Sequence, residues 1–252
     1  EGLTQAPPPL TWTGRSADYN GELRGSLIGG MDVLIMTNGE GQERYIKVNQ
    51  NACPSTLFIN SRTTIEGGDQ VAYKETKHTW DRVRFTENPF TGTTNICKQG
   101  ASATHFVYGN HTHSGKTDVW DGALVCNGSI LYSPIWANIH TELFLGCALD
   151  ASESTYKSIE MEYGSALYIT DHAKTTPLTN DNGYAHMKVG DLNIKEGSRI
   201  VFDLNGTGNA SGDRLDITGG VKVRKRTWKY GPPYSAPVFE MRSSGTLAAG
   251  EY

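Results

Sequence analysis

The length of its apolar segments constrains this chain more than any other feature. They run four to eight residues, several alternate apolar with polar side chains, and turn residues stop each one: MDVLIM at 31–36, QVAY at 70–73, RVRF at 82–85, ALVC at 123–126, IEMEY at 159–163 and RIVFDL at 199–204. A period of two sends successive side chains to opposite faces, which marks a half-buried strand. The dipeptides Asn38-Gly39, Gly67-Gly68, Asp121-Gly122 and Asn182-Gly183 stand between segments as hairpin turns do. No stretch holds a helical period for more than about two turns. The expectation is an all-β chain of short strands.

A length of 252 residues suits one large β-domain or two ordinary ones, and either can bury a core. The net charge of −4 argues against a phosphate-binding surface, so no nucleic-acid partner is expected. No apolar run approaches the ~18 residues of a membrane span. The start, EGLTQ followed by Pro7, Pro8 and Pro9, has neither the basic residues nor the apolar stretch of a signal peptide and reads as already processed.

The four cysteines, Cys53, Cys97, Cys126 and Cys147, are widely spaced with no CxxC pair. Two disulfides are expected, Cys53 with Cys97 and Cys126 with Cys147, because each closes a local loop. Such bridges imply an oxidising compartment. All four precede residue 148, and DASESTYKS at 150–158 is small and polar like a linker. This gives an N-terminal disulfide-bonded β-domain over 1–150 and a cysteine-free domain over 156–252, its strands spaced like those of an immunoglobulin-type sandwich.

Within the second domain, SIEMEYG at 158–164, NGYAHMKV at 182–189, SRIVFDL at 198–204, DITGGVKV at 216–223 and SGTLAAGEY at 244–252 follow one another in an order that resembles the pilin domain of chaperone-usher fimbrial tip adhesins. The resemblance implies two β-sandwich domains, the first a receptor-binding lectin and the second an incomplete immunoglobulin-like sandwich. It also implies donation of the missing strand by a periplasmic chaperone and then by the adjacent pilus subunit, with secretion through the periplasm to a pilus tip at the cell surface. The chain stops at Tyr252, where that family continues into one further strand, and it lacks the cysteine pair that many pilin domains carry.

The stretch NHTHSGKTDVWDGALVC, residues 110–126, concentrates the candidate chemistry. Trp120 or Tyr108 offers an aromatic face for the C–H face of a pyranose, while Asp118, Asp121, Asn110 and Lys116 offer partners for its hydroxyls. Trp120 serves equally well as a core residue, with Asp121-Gly122 a plain turn. His111 and His113, on one side of an extended chain, form an alternative metal pair with Asp118 or Asp121, His140 or His105 completing it. Asp118 with Asp121, or Glu160 with Glu162, would be the carboxylate pair of a glycosidase. There is no GxSxG, HExxH or P-loop.

KHTWDR at 77–82 is a second aromatic and polar candidate. Lys222, Arg224 and Arg226 would share one strand face, the usual look of a solvated or edge-protecting surface. Sequons at Asn110, Asn127, Asn205 and Asn209 matter only if the protein is made in a eukaryotic secretory pathway. The reading that follows is a fimbrial tip adhesin that binds a host glycan or glycoprotein without a cofactor. The alternatives are a secreted polysaccharide-active enzyme with a β-sandwich accessory domain, and a structural minor pilus subunit.

Overall fold

The computed structural model describes residues 10–12, 20–23, 32–37, 43–48, 55–61, 82–86, 88–100, 103–106, 109–146, 153–169, 185–204, 212–224 and 235–243. Its regular elements are β1 (Leu10–Trp12), β2 (Asn20–Leu23), β3 (Asp32–Thr37), β4 (Glu43–Val48), β5 (Thr56–Ser61), β6 (Arg82–Thr86) and β7 (Asn95–Gln99). There follow β8 (Ala103–Phe106), β9 (Thr117–Val119), β10 (Ala123–Cys126), β11 (Ile130–Ala137), β12 (Glu142–Leu145) and β13 (Ser154–Met161). The last are β14 (Ala166–Ile169), β15 (His186–Lys195), β16 (Arg199–Leu204), β17 (Arg214–Ile217), β18 (Val221–Arg224) and β19 (Val238–Ser243).

Consecutive strands do not pair. Odd-numbered strands from β1 to β17 form one sheet, with β18 also paired to β15, and even-numbered strands from β2 to β16 together with β19 form the other. Every pairing between these strands is parallel, each strand lying beside the next but one in sequence except that β18 pairs with β15 and β19 with β16. Parallel neighbours normally need a helical crossover, and no helix is present among the described residues. The crossover here is the intervening strand of the opposite sheet, so each pair of strands is one coil of a solenoid whose two sheets face each other across the core.

This topology corrects the expected fold. An immunoglobulin-like or pilin sandwich is antiparallel, whereas β13 to β19, which span the pilin-like segment, pair only in parallel. Residues 147–152, where the sequence suggested the start of a linker, lie outside the described residues; on either side of them β11 pairs with β13 and β12 with β14. Asp121-Gly122 shows why turn signals misled. It joins β9 to β10, which lie in different sheets, so it makes a corner, with Gly122 at φ 70°. Gly67-Gly68, Asn38-Gly39 and Asn182-Gly183 lie outside the described residues, as does QVAY at 70–73.

Stacking puts like on like. One inward column of the first sheet reads Leu57, Ile96, Thr117, Ile135, Ile159 and Leu192, buried throughout, and ends at Val221. In the second sheet Leu124, Leu143, Leu167 and Ile200 stack the same way. Each completely buried side chain of this kind stabilises by about 1.5–3 kcal/mol relative to exposure.

The inward positions of β13 and β15 skip a beat in mid-strand. Lys157-Ser158 and Gly190-Asp191 both face away from the core between buried neighbours. At the corresponding place the last coil divides into β17 and β18, which pair with the two halves of β15. The coils therefore bend there, and the bend splits the outer surface of the first sheet into an upstream and a downstream facet. Asp191 pins it: its Oδ1 accepts the Gly220 amide at 2.8 Å.

Candidate functional site

On the downstream facet the residues between the inward columns point to solvent. One outward row reads Phe58, Cys97, Asp118, Trp136, Glu160, Asn193 and Lys222 on successive rungs. Rungs of a sheet lie about 4.8 Å apart, so this row is a strip along the solenoid axis. Trp120 and Asn138 follow β9 and β11, with Asn138 Nδ2 donating to the Trp120 carbonyl at 3.2 Å.

Trp120 is 46% exposed and meets Trp136 edge to face, ring centroids 4.9 Å apart. The Trp136 indole N–H donates to Glu162 Oε1 at 3.2 Å. Lys195 Nζ hydrogen-bonds the same oxygen, lies 3.9 Å from Glu160 Oε1, and sits 5.6 Å from the centre of the Tyr163 ring. Trp136 is thus packed against Trp120 and hydrogen-bonded to a carboxylate that Lys195 also holds. Partial burial raises the Asp118 carboxyl above its usual range, opposed by nearby Lys116. Burial likewise raises the Cys97 thiol, so Cys97 is not poised as a thiolate.

Of the residues singled out in the sequence, Lys116, Asp118 and Trp120 share the outward face of β9 and its flanks. Asp121 is exposed at the corner, where its Oδ1 caps the Gly122 amide at 2.8 Å. Asn110 is exposed on the far side of the His111 bridge to Ile130, six positions before Lys116. Tyr108 and residues 77–81 lie outside the described residues, as do Arg226, Asn205 and Asn209. Asn127 is buried, which removes its sequon from consideration.

Trp136, Lys195 and Tyr163 escaped sequence reasoning. They stand 16 to 75 positions from Trp120 in the chain, and only parallel stacking brings their elements together. The pair Glu160 and Glu162 was legible as two carboxylates, but Lys195 contacts both.

His111 and His113 lie in the core, 1% and 0% exposed. His111 Nδ1 accepts the Phe90 amide at 3.0 Å while its ring stacks on Phe90, 5.6 Å between centroids. His113 Nε2 lies 2.9 Å from Thr117 Oγ1, which in turn lies 2.8 Å from Ser133 Oγ. Burial lowers His111 to about 3 and His113 to about 4, keeping both neutral. Among the described residues no carboxylate, thiol or third imidazole joins them into a three-ligand cluster. Asp118 and Asp121 face outward, and His140 is exposed at a turn.

The expected disulfides are not formed by their described members. Cys97 and Cys126 are free thiols, Cys97 on the outer surface and Cys126 in the core, where burial raises it to about 12. Cys53 and Cys147 lie outside the described residues.

Comparison with protein-family models, with curated proteins and with solved structures finds no match.

Proposed function

We propose that this chain binds a glycan non-covalently on the downstream facet, around Trp120 and Trp136. The observation that carries this reading is the half-exposed Trp120 ring held edge-on against Trp136, whose indole is fixed by Glu162. An exposed indole face suits the C–H face of a pyranose, and Asp118, Asn138 and Glu160 supply acceptors and donors for its hydroxyls. Rings already held in place lose little freedom on binding, which lowers the ordering cost. The rung repeat of about 4.8 Å is close to one sugar unit of an extended chain, so a linear glycan would lie along the axis with successive units over successive coils.

This reading keeps the glycan or glycoprotein partner expected from the sequence and sets it on a different scaffold. Donor-strand assembly needs an incomplete antiparallel sandwich and goes with that fold. Glycan recognition would place the protein in secreted form or at the cell surface, although the free thiols of Cys97 and Cys126 withdraw the disulfide argument for it.

A second reading has one observation behind it. Asp118 and Glu160 flank Trp136 two rungs apart on the same row, about 10 Å between backbones, near the upper separation of ~9.5 Å for inverting glycosidases. Lys195 beside Glu160 and the indole between the carboxylates favour binding over hydrolysis.

A glycan array followed by calorimetry tests both. Trp120→Ala removes the stacking surface and Asp118→Asn a charged acceptor, and each is expected to weaken binding by about 5- to 150-fold, from losses of ~1–3 kcal/mol. Circular dichroism should be unchanged. Equal binding by both variants would move the site elsewhere, and release of reducing ends would establish the enzyme.

A further inference from the structure

The upstream facet carries a separate constellation. Glu153 precedes β13, His186 opens β15, and Asp216 lies on β17, so three successive coils each contribute one side chain. Met187 pairs with Ser154 and Lys188 with Asp216, which sets all three on the outer surface at adjoining rungs. His186 Nε2 lies 3.0 Å from Asp216 Oδ2 and 3.3 Å from Glu153 Oε2. One donor atom from each of the three residues falls within 4.8 Å of the others.

We propose that Glu153, His186 and Asp216 bind a zinc-class divalent ion that ties the three coils together. Donor atoms in a tetrahedral shell at about 2.0–2.1 Å from zinc stand about 3.3 Å apart, and the two imidazole-to-carboxylate separations are already close to that edge length. One imidazole with two carboxylates suits zinc or a similar first-row ion, and calcium, which takes about six to eight oxygens, much less well.

The Glu153 carboxylate is also oriented from behind. Lys188 Nζ holds Glu153 Oε1 at 3.0 Å, leaving Oε2 toward His186. Arg214 grips both oxygens of Asp216, Nε at 3.0 Å from Oδ1 and Nη2 at 2.7 Å from Oδ2, so an ion at Oδ2 displaces the Nη2 contact and leaves the bond to Oδ1 as the outer support. Outer partners of this kind fix ligand geometry and offset the excess negative charge. His186 and Asp216 are about one-third exposed at their side chains, so the fourth position faces solvent and takes a water. The site stands on the other side of the bend from Trp120 and does not depend on glycan binding.

The test uses the whole chain freed of metal by chelation and titrated calorimetrically with zinc chloride, with calcium chloride as contrast. Cobalt chloride supplies a visible spectrum of tetrahedral coordination. One zinc per chain is expected, with no calcium competition at equal concentration. At about 100 times Kd, zinc should raise Tm by roughly 5–10 °C. His186→Ala should weaken zinc binding by about 100-fold or more, the upper end of what is lost even when only an orienting residue is removed. His186→Gln retains an amide donor toward Asp216 and guards against loss of fold, and it should lose zinc equally. Glu153→Gln and Asp216→Asn should each abolish the cobalt spectrum. No stoichiometric zinc, undiminished binding in both His186 variants, or an unmoved Tm would overturn the site and leave a plain ion-pair ladder.

Discussion

Four buried ionisable side chains, His111, His113, Lys98 and Cys126, lie in the core, and each ties stability to pH. His111 and His113 are held neutral, lowered to about 3 and about 4 by burial, against about 6.5 in an unfolded chain. Between those limits the unfolded state binds more protons, so stability falls as pH drops from about 6.5 toward 4. His113→Gln retains a partner for Thr117 and removes one titration. Its denaturant midpoint should lose about half as much as the wild type between pH 6.5 and 4.5, and an identical pH slope would refute the assignment. Lys98 is 0% exposed and donates to the carbonyls of Gln99, Gly100 and Asp121 at 3.2, 2.5 and 2.8 Å. Burial lowers its amine to about 7, opposed by the Asp121 carboxylate. The unfolded lysine keeps its proton until about 10.4, so this group makes stability rise above pH 7. Cys126, raised to about 12, makes it fall once an unfolded thiol ionises near 9. In the window from pH 7 to 9 the lysine acts with little opposition, and a gain of about 1–3 kcal/mol is expected. Lys98→Met should flatten that rise; a rise of the same size in the variant would show that another group causes it.

At the scale of elements, the bend in β13 and β15 rests on a glycine that has no room for a side chain. A Cβ on Gly190 would lie 2.2 Å from the Lys157 carbonyl oxygen, which is fixed in the neighbouring coil. Gly190→Ala must shift backbone and should cost about 1–3 kcal/mol. A Cβ on Gly220 would meet only Asp191 Oδ1, at 3.6 Å, so Gly220→Ala is the matched control and should melt close to wild type. Equal losses in both would mean that the bend is not set by this contact. Much of the strand content was legible: ALVC at 123–126 and RIVFDL at 199–204 are β10 and β16, and IEMEY overlaps the second half of β13. Pairing direction was not. Alternation reports which face of a segment is buried, and a parallel and an antiparallel neighbour satisfy it equally well. A regular repeat would have disclosed the coils, but successive members of the inward column lie 18 residues apart from Thr117 to Ile135 and 39 from Leu57 to Ile96. The site was half legible for the same reason. Trp120 and Asp118 announced themselves within one loop, whereas Trp136 and Lys195 have no local signal and are brought to Glu162 by stacking.

For the whole molecule, a solenoid holds each coil mainly through its neighbours, so stability is distributed by position along the axis. The central coils have a neighbour on both sides: β11 lies between β9 and β13, and β13 between β11 and β15. Their inward residues Ile135, Ile159 and Met161 are 1% exposed or less. The last described coil is different. β18 pairs only with β15, and β19 only with β16. Val221 and Val223 continue the columns of Leu192 and Ile194 yet are 53% and 57% exposed, and Phe239 and Met241 are 58% and 64% exposed. Amide hydrogens open locally at a cost that tracks buried contacts. Hydrogen exchange followed by mass spectrometry should therefore show peptides from β11 and β13 exchanging slowest and those from β18 and β19 fastest. Ile159→Ala, in the centre, should cost about 2–5 kcal/mol, while Val223→Ala at the exposed rung should cost well under half of that because little apolar surface is lost from burial. Uniform protection along the chain, or equal losses for the two substitutions, would show that the coils fold as one indivisible unit instead of supporting one another neighbour by neighbour.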